Sequence, residues 1–362
     1  MKKSKFNLPV TAVDIFCGIG GLTYGLKKAG IDVKAGIDSD KSCKYAYEKN
    51  NKTKFIYKDI REIKAKEIKN LYGKNDFKVL VGCAPCQPFS THTQKVKNRK
   101  NREDWGLLYY FLDLIKKVRP HIVSMENVVQ IKKYDIFTDF VNGLEGKGYK
   151  VKVEKVFCPE YGIPQNRRRL VLLASRLGEI KLKEPTHGPT NYKTVRDALA
   201  RLKKIKHGEF LKKDIFHRAA KLSPINYKRI KVSKPGGSWR DWNKDLVAKC
   251  HREDTGGTYG SVYARMEWDK PSPTITTQFY RYGTGRFGHP KQDRAISIRE
   301  GAILQTFPKK YKLMKPREPM SLTQLGKHVG NAVPVKLGEV IGKSILNHLE
   351  VYCGERTLKT GI

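Results

Sequence analysis

The sequence predicts an α/β protein: a doubly wound, mostly parallel sheet joined to a second, smaller, loop-rich basic domain. Three observations predict it. Short apolar runs alternate with amphipathic stretches through the first half of the chain. That regularity lapses after about Lys183. Positive charge then concentrates where the pattern has lapsed. Between Arg201 and Cys250 stand 15 Lys or Arg against 4 Asp or Glu, a net of +11 in fifty residues. This is about twice the density of the whole chain, +38 over 362 residues, so an evenly spread lysine bias does not account for it.

Residues 11–17 are a β-branched, apolar run that stops at glycines, and they read as the first strand. Residues 21–28 follow as a helix ended by Gly30. Residues 33–37 are a second strand and 41–49 a second helix, with further strands at 55–57, 79–82 and 122–126. Before the last of these, 107–118 form an amphipathic helix stopped by Pro120. Residues 151–157 and 170–174 add two strands. Strands alternating with helices imply parallel neighbours, and such sheets bind ligands at the carboxyl ends of their strands. Pro185, Pro189, Pro224, Pro235, Gly236 and Gly237 then punctuate a stretch of weak periodicity. Helical patterning returns at Ser297, and 335–349 read as a closing helix. The expected domains are 1–185, 186–295, and a segment 296–362 that returns to the first.

Hydrophobic residues make up 39% and aromatics 10%, enough to bury a core and too many for a disordered chain. The net charge favours a polyanionic partner, nucleic acid ahead of a membrane surface. No apolar run is long enough to span a bilayer, and the basic, polar residues 1–9 are not followed by the apolar core of a signal peptide. Seven cysteines, an odd number without a regular framework, suit a reducing cytoplasm with free thiols.

Four segments carry chemistry. Asp14-Ile15-Phe16-Cys17-Gly18-Ile19-Gly20-Gly21 lies between a strand and a helix, where glycines let a ligand approach the backbone and the helix N-terminus. A dinucleotide fingerprint wants a third glycine where Thr23 stands, so the loop suits an adenosyl ligand at least as well as NAD. Glycines at such turns are also often purely structural. Asp38 ends the next strand, where a carboxylate can accept from ribose hydroxyls. Asp59 and Ile60 close the third, suited to hold an adenine by one polar and one apolar contact.

Gly82-Cys83-Ala84-Pro85-Cys86-Gln87-Pro88-Phe89-Ser90 follows an apolar strand. Cys86 therefore lies at the carboxyl edge of the sheet, on a loop stiffened by prolines, placed as a nucleophile. The C-x-x-C spacing of Cys83 and Cys86 also admits a redox pair or half a zinc site. There is no second C-x-x-C, and Pro88 is awkward inside the helix that a thioredoxin-type motif opens. Glu126-Asn127-Val128 ends the 122–126 strand; a carboxylate in a cleft with a thiol suits protonation of a heterocycle, or it is simply solvated. In Gln165-Asn166-Arg167-Arg168-Arg169, alternation turns Arg167 and Arg169 to one side, away from Arg168. Such a pair can hold a carboxylate or a phosphate, or form a solvated basic cluster.

Together these residues resemble the DNA (cytosine-5) methyltransferase family of the prokaryotic restriction-modification type. Asp14 to Gly21 is similar to its first cofactor motif, and Pro85-Cys86-Gln87 with Phe89-Ser90 to its nucleophile loop. Glu126-Asn127-Val128 and Gln165-x-Arg167-x-Arg169 resemble its next two catalytic motifs. Ser297-x-Arg299-Glu300 with Leu304-Gln305-x-Phe307-Pro308, and Gly330-Asn331-Ala332-Val333-Pro334, resemble its last two. The matches keep the family's order and leave out roughly 203–258. Three positions depart: Asp38 stands where Glu is commoner, Ala84 where many members have proline, and His328 where Gln usually precedes the Gly-Asn pair.

The resemblance implies a class I, Rossmann-like methyltransferase that uses S-adenosyl-L-methionine, held by Phe16, Gly18, Gly20, Gly21, Asp38, Asp59, Ile60 and Asn331. It gives Cys86 attack on C6 of a cytosine flipped out of duplex DNA, Glu126 the hold on N3, Arg167 the orientation of Glu126 and the base, and Arg169 support. Gln87, Ser90, Trp239 and Arg240 are the expected DNA contacts, Arg240 because a guanidinium bonds guanine at two points. Alternatively Trp239 and Trp242 fill the small domain's core and Arg240 pairs with Asp241. No metal is expected. The expected setting is a monomer in a prokaryotic cytoplasm, at the nucleoid, with a cognate restriction endonuclease that need not touch it. Three rival readings remain: a tRNA cytosine-5 methyltransferase of the same architecture, against which the basic segment speaks; an NAD-dependent oxidoreductase, against which Thr23 and the Cys86 loop speak; and a catalytically silent DNA-binding protein, against which the intact Cys86, Glu126, Arg167 and Arg169 speak.

Overall fold

A computed structural model of the protein describes residues 9–74, 76–86, 89, 104–252 and 260–360. They fall into two compact units: one drawn from Met1–Phe157, Arg168–Pro185 and Val333–Ile362, the other from Cys158–Arg167 and Thr186–Ala332.

The first unit alternates strand and helix: β1 (Val10–Ile15), α1 (Gly21–Ala29), β2 (Asp32–Asp38), α2 (Lys44–Asn51), β3 (Lys54–Tyr57), α3 (Ala65–Lys69), β4 (Phe77–Gly82), α4 (Leu107–Val118), β5 (Ile122–Asn127), α5 (Asp135–Glu145) and β6 (Lys150–Phe157). A two-residue strand of the second unit, β7 (Gln165–Asn166), precedes β8 (Arg168–Ser175). The seven-stranded sheet runs β3-β2-β1-β4-β5-β8-β6. β1 to β5 pair in parallel, and β8 is antiparallel to both neighbours. No crossover helix separates β6 from β8, so the chain can return only in the opposite sense.

Every residue of β1 and of β5 is buried, as expected of strands covered on both faces. α4 shows how one face is covered. Leu108, Phe111, Leu112 and Ile115 recur at helical spacing and are all buried, and Phe111 stacks on Phe140 of α5 at 5.9 Å. Arg119, in the left-handed conformation, and then Pro120 end that helix. Because β1 lies between β2 and β4, the strand order reverses there. That reversal opens a crevice at the carboxyl ends, the usual ligand position in such sheets.

The second unit has short elements: α6 (Val195–Leu199), β9 (Phe210–Leu211), β10 (Asp214–Arg218), α7 (Pro224–Val232), α8 (Lys249–Arg252), β11 (Ser272–Pro273), α9 (Ile298–Leu304) and α10 (Leu322–Asn331). Side chains help to satisfy its backbone beside two short ladders. The buried guanidinium of Arg265 donates to the carbonyls of Ile230, Ser233, His289 and Gln292 at 2.7 to 3.0 Å and pairs with Asp293. Its apolar core includes Leu222, Ile230, Trp239, Trp242, Leu246 and Tyr282. Of the two readings of Trp239, the packing favours the core: the residue is 7% exposed and its ring stacks on that of His251 at 4.6 Å. Aromatic side chains bring the most apolar area to such a small core. Arg240 is exposed with its guanidinium over the Trp239 ring at 4.8 Å, while Asp241 accepts from Ser238 N–H at 2.6 Å. Residues 296–332, the first part of the 296–362 segment that the sequence pattern attaches to the first domain, belong to this unit. Arg299 bonds Asp214 at 2.7 and 3.0 Å, and Arg294 bonds Glu300 at 2.6 and 2.7 Å. The chain returns to the first unit as α11 (Val335–Thr360), which lies along α1.

Candidate active site

The carboxyl ends of β1 to β5 carry most of the residues singled out above. After β1 the backbone turns through Phe16, Gly18 and Gly20, all at positive φ (61°, 50° and 87°). Cys17 N–H donates to Ile37 O at 3.1 Å and Gly20 N–H to Cys17 O at 2.9 Å, which closes the turn before Gly21 opens α1. At Gly20 a Cβ would lie 2.3 Å from Asn51 Nδ2, so conformation and space both require glycine. At Gly18 a Cβ would meet nothing within 4 Å, which leaves the backbone open to a ligand. Asp38, at the end of β2, accepts Gly18 N–H on one oxygen and Asp40 N–H on the other, each at 2.8 Å. It buttresses the turn from the neighbouring strand, a task beyond the ribose contact that the sequence predicts.

Beneath the turn Asp14 is wholly buried. Thr23 donates to its Oδ2 at 2.6 Å and lies 3.0 Å from the Tyr47 hydroxyl, while Oδ1 meets no hydrogen-bond partner among the described residues. Burial raises the Asp14 carboxyl to about 7, against the pull of the Thr23 hydrogen bond. Burial likewise pushes the Cys17 thiol up, aided by the charges of Asp14 and Asp38. Thr23, weighed in the sequence only as a missing glycine, is the residue that pins α1 to β1. At the end of β3, Asp59 accepts Arg61 N–H at 2.9 Å and holds the Arg61 guanidinium by two bonds of 2.8 Å, which lowers its pKa. Ile60 is buried in the unit's core.

β4 and β5 pair with Gly82 opposite Met125, so the next residues, Cys83 and Glu126, come side by side. The Cys83 thiol donates to Glu126 Oε2 at 2.8 Å, and Asn127 Nδ2 donates to Ala84 O at 3.1 Å. The loop carrying Cys86 is thus tied to β5 at two successive residues. Burial, and then the Glu126 charge, push the Cys83 thiol well up, so it keeps its proton as the donor. Cys86 is partly exposed. Its carbonyl accepts from Phe89 N–H at 3.0 Å, and Phe89 is buried against Trp105 and Tyr134. Gln87 and Ser90 lie outside the described residues.

Glu126 pairs with Val171 across the antiparallel β5–β8 ladder, so Arg169 sits diagonally on the same face. Arg169 Nε lies 3.0 Å from Glu126 Oε1, with the two side chains 12% and 3% exposed. Arg168 turns away and covers the Phe157 ring at 4.2 Å. Arg167 and Asn331 belong to the second unit. Arg167 is buried there and donates to Ile275 O at 3.3 Å; Asn331, the last residue of α10, is exposed. The first unit therefore brings together, along one sheet edge, a partly exposed thiol, a buried carboxylate held by a thiol and a guanidinium, and an open glycine turn. That set can add a nucleophile to an electrophilic ring while a carboxyl engages its heteroatoms.

The model of the C-5 cytosine-specific DNA methylase family matches residues 10–347. Similar proteins include the Type II methylase M.HgiDII of Herpetosiphon aurantiacus, 51% identical over 341 residues, 93% of this chain and 95% of that one. Another is the Type II methyltransferase M.Eco47II of Escherichia coli, 29% identical over 94% of this chain and 79% of its own. Among solved structures, a DNA modification methyltransferase encoded within an E. coli prophage matches with a TM-score of 0.69 at 21% identity, covering 94% of this chain and 99% of that one. Spodoptera frugiperda DNMT2 matches with a TM-score of 0.64 at 16% identity, covering 93% and 99%. These two likenesses concern the fold, the class I S-adenosylmethionine-dependent methyltransferase fold with its seven-stranded sheet.

Proposed function

The chain belongs to the C-5 cytosine-specific DNA methylase family, and on that footing we propose that it methylates a specific duplex DNA site through a bond from Cys86 to C6 of a flipped-out cytosine. The family's methyl donor is S-adenosylmethionine, and the open turn suits it. Phe16, Gly18, Gly20 and Gly21 would line its approach, Asp38 would accept from the ribose with its remaining lone pairs, and Asp59 and Ile60 would flank the adenine. When bound, it supplies an electrophilic methyl group.

Cytosine C5 is a poor nucleophile until a thiolate adds at C6. Cys86 supplies that thiolate, and electron density moves to C5, which takes the methyl group. Glu126 holds N3 in its protonated form and contacts the exocyclic amine, with Arg169 fixing the carboxyl in place. Loss of the C5 proton then expels Cys86 and restores the ring. Arg167 and Asn331 keep, as proposals, the roles that the resemblance implies. The basic segment 203–258 reads the site, its exposed Lys203, Lys204 and Lys206 meeting phosphates. The Type II names of the relatives support a companion endonuclease that need not bind this monomeric, nucleoid-associated chain.

The observation that carries this reading is the joining of the Cys86 loop to Glu126 through Cys83 and Asn127, beside the open turn. The test supplies duplex DNA and tritiated S-adenosylmethionine. Label should enter DNA with the native protein and not with Cys86→Ser. DNA containing 5-fluorocytosine should form a lasting adduct at Cys86, because fluorine does not leave as a proton does. An adduct on Cys83, or one that survives Cys86→Ser, refutes the assignment.

A further inference from the structure

Cys83 has no part in the chemistry just described, yet its half-buried thiol is a donor to the carboxyl that engages the base. Its main-chain N–H donates to Ile15 O at 3.3 Å, at the end of β1, and its thiol donates to Glu126 Oε2 at 2.8 Å, on β5. Oε1 of the same carboxyl faces Arg169 Nε at 3.0 Å. That contact is an ion pair without hydrogen-bond geometry, so the Cys83 thiol supplies the directional bond to this carboxyl among the described residues. The thiol arrives from the same loop as Cys86, three residues upstream.

We propose that Cys83 is a positioning residue for methyl transfer: its thiol orients Glu126 and couples that carboxyl to the loop that carries the nucleophile. This rests on the proposed reaction at Cys86. A thiol is a weak donor, but here its acceptor is a carboxylate that is itself buried, and a charged acceptor strengthens the bond. Loss of the donor frees the carboxyl to turn away from the plane of the base. Turnover should then suffer while substrate affinity does not, because the base is held mainly through its DNA contacts. A hydroxyl at this position can make the same bond, and an alkyl group of similar size cannot.

The experiment compares Cys83→Ala, Cys83→Val and Cys83→Ser in the full-length protein, after the native enzyme has been shown to methylate DNA and Cys86→Ser to be inactive. That control fails if the reaction at Cys86 is misassigned, independently of the fate of Cys83. Ala and Val should lower kcat about tenfold or more with KM for DNA within twofold, and Ser should keep kcat within about threefold of native. Ala or Val at native kcat, or Ser as slow as both, overturns the proposal. A second measurement needs no turnover and no Cys83 variant. Mass spectrometry of iodoacetamide labelling at pH 8 should show Cys83 alkylated several-fold faster in Glu126→Gln, where the negative charge that holds the thiol proton is gone. Equal labelling rates with and without the Glu126 charge contradict the coupling.

Discussion

Replacing Asp38 by alanine removes acceptors from two backbone N–H groups, Gly18 and Asp40, each bonded at 2.8 Å. Hydrogen bonds to a charged acceptor contribute about 1.5–3 kcal/mol each where water is excluded. Asp38 is half-buried, so water can reach the vacated amides, and the pair together should cost about 1–3 kcal/mol rather than their sum. If the turn must be ordered before the donor binds, that cost appears in affinity, a loss of roughly 5- to 150-fold at about 1.4 kcal/mol per tenfold. Isothermal titration of S-adenosylmethionine into native protein and Asp38→Ala measures it. Melting without ligand separates two roles. A carboxylate used only for ribose leaves the ligand-free melting temperature unchanged, whereas the buttress seen here lowers it in Asp38→Ala. Native affinity in the variant would refute the site, and a native melting temperature would refute the buttress.

Three further outcomes follow from particular contacts. Gly25→Ala forces a Cβ to within 2.4 Å of Val335 O and 2.5 Å of Glu339 N, both α11 backbone, and should destabilise the protein by about 1–3 kcal/mol in denaturant melts despite alanine's better helix propensity; an unchanged midpoint contradicts the close α1–α11 approach. Asp14 is raised from 3.8 to about 7, so the folded chain keeps a proton that the unfolded chain releases between about pH 4 and 7. Its stabilising share is present below pH 4 and lost as pH rises through 7, and Asp14→Asn should flatten the fall in melting temperature over that window; an equal slope in both proteins refutes the shift. Arg240→Ala should relax the choice of base at one position by about 1–3 kcal/mol, whereas Lys204→Ala should weaken all DNA alike and reduce the salt dependence of binding; sequencing of methylated sites that shows native choice in Arg240→Ala removes Arg240 from base reading.

How much of this could be read from the chain depends on whether the signal is local. Glycines and carboxylates that terminate apolar runs stand at strand ends, so the turn at Phe16–Gly21, Asp38, Asp59 and Glu126 could be placed on one edge before any pairing was known. What lies beside what is decided by register between distant strands, which no local pattern carries. Cys83 reaches Glu126 only because Gly82 pairs with Met125, 43 residues away. The spacing of the two cysteines drew attention to each other instead. Alternation put Arg167 and Arg169 on one side, but regular β structure begins only at Arg168, and the two arginines fall in different compact units. Trp239 carried the opposite ambiguity. An aromatic beside an arginine and two glycines has the composition of a nucleic-acid contact and equally that of a small core. The decision rests on how much apolar area the surrounding elements supply. Here both tryptophans join Leu222, Ile230, Leu246 and Tyr282 in one buried cluster, and the Arg240 guanidinium lies over the Trp239 ring. If this segment reads bases, as proposed, the exposed cations are the groups that can reach them, and the Trp239 ring lies beneath the Arg240 guanidinium.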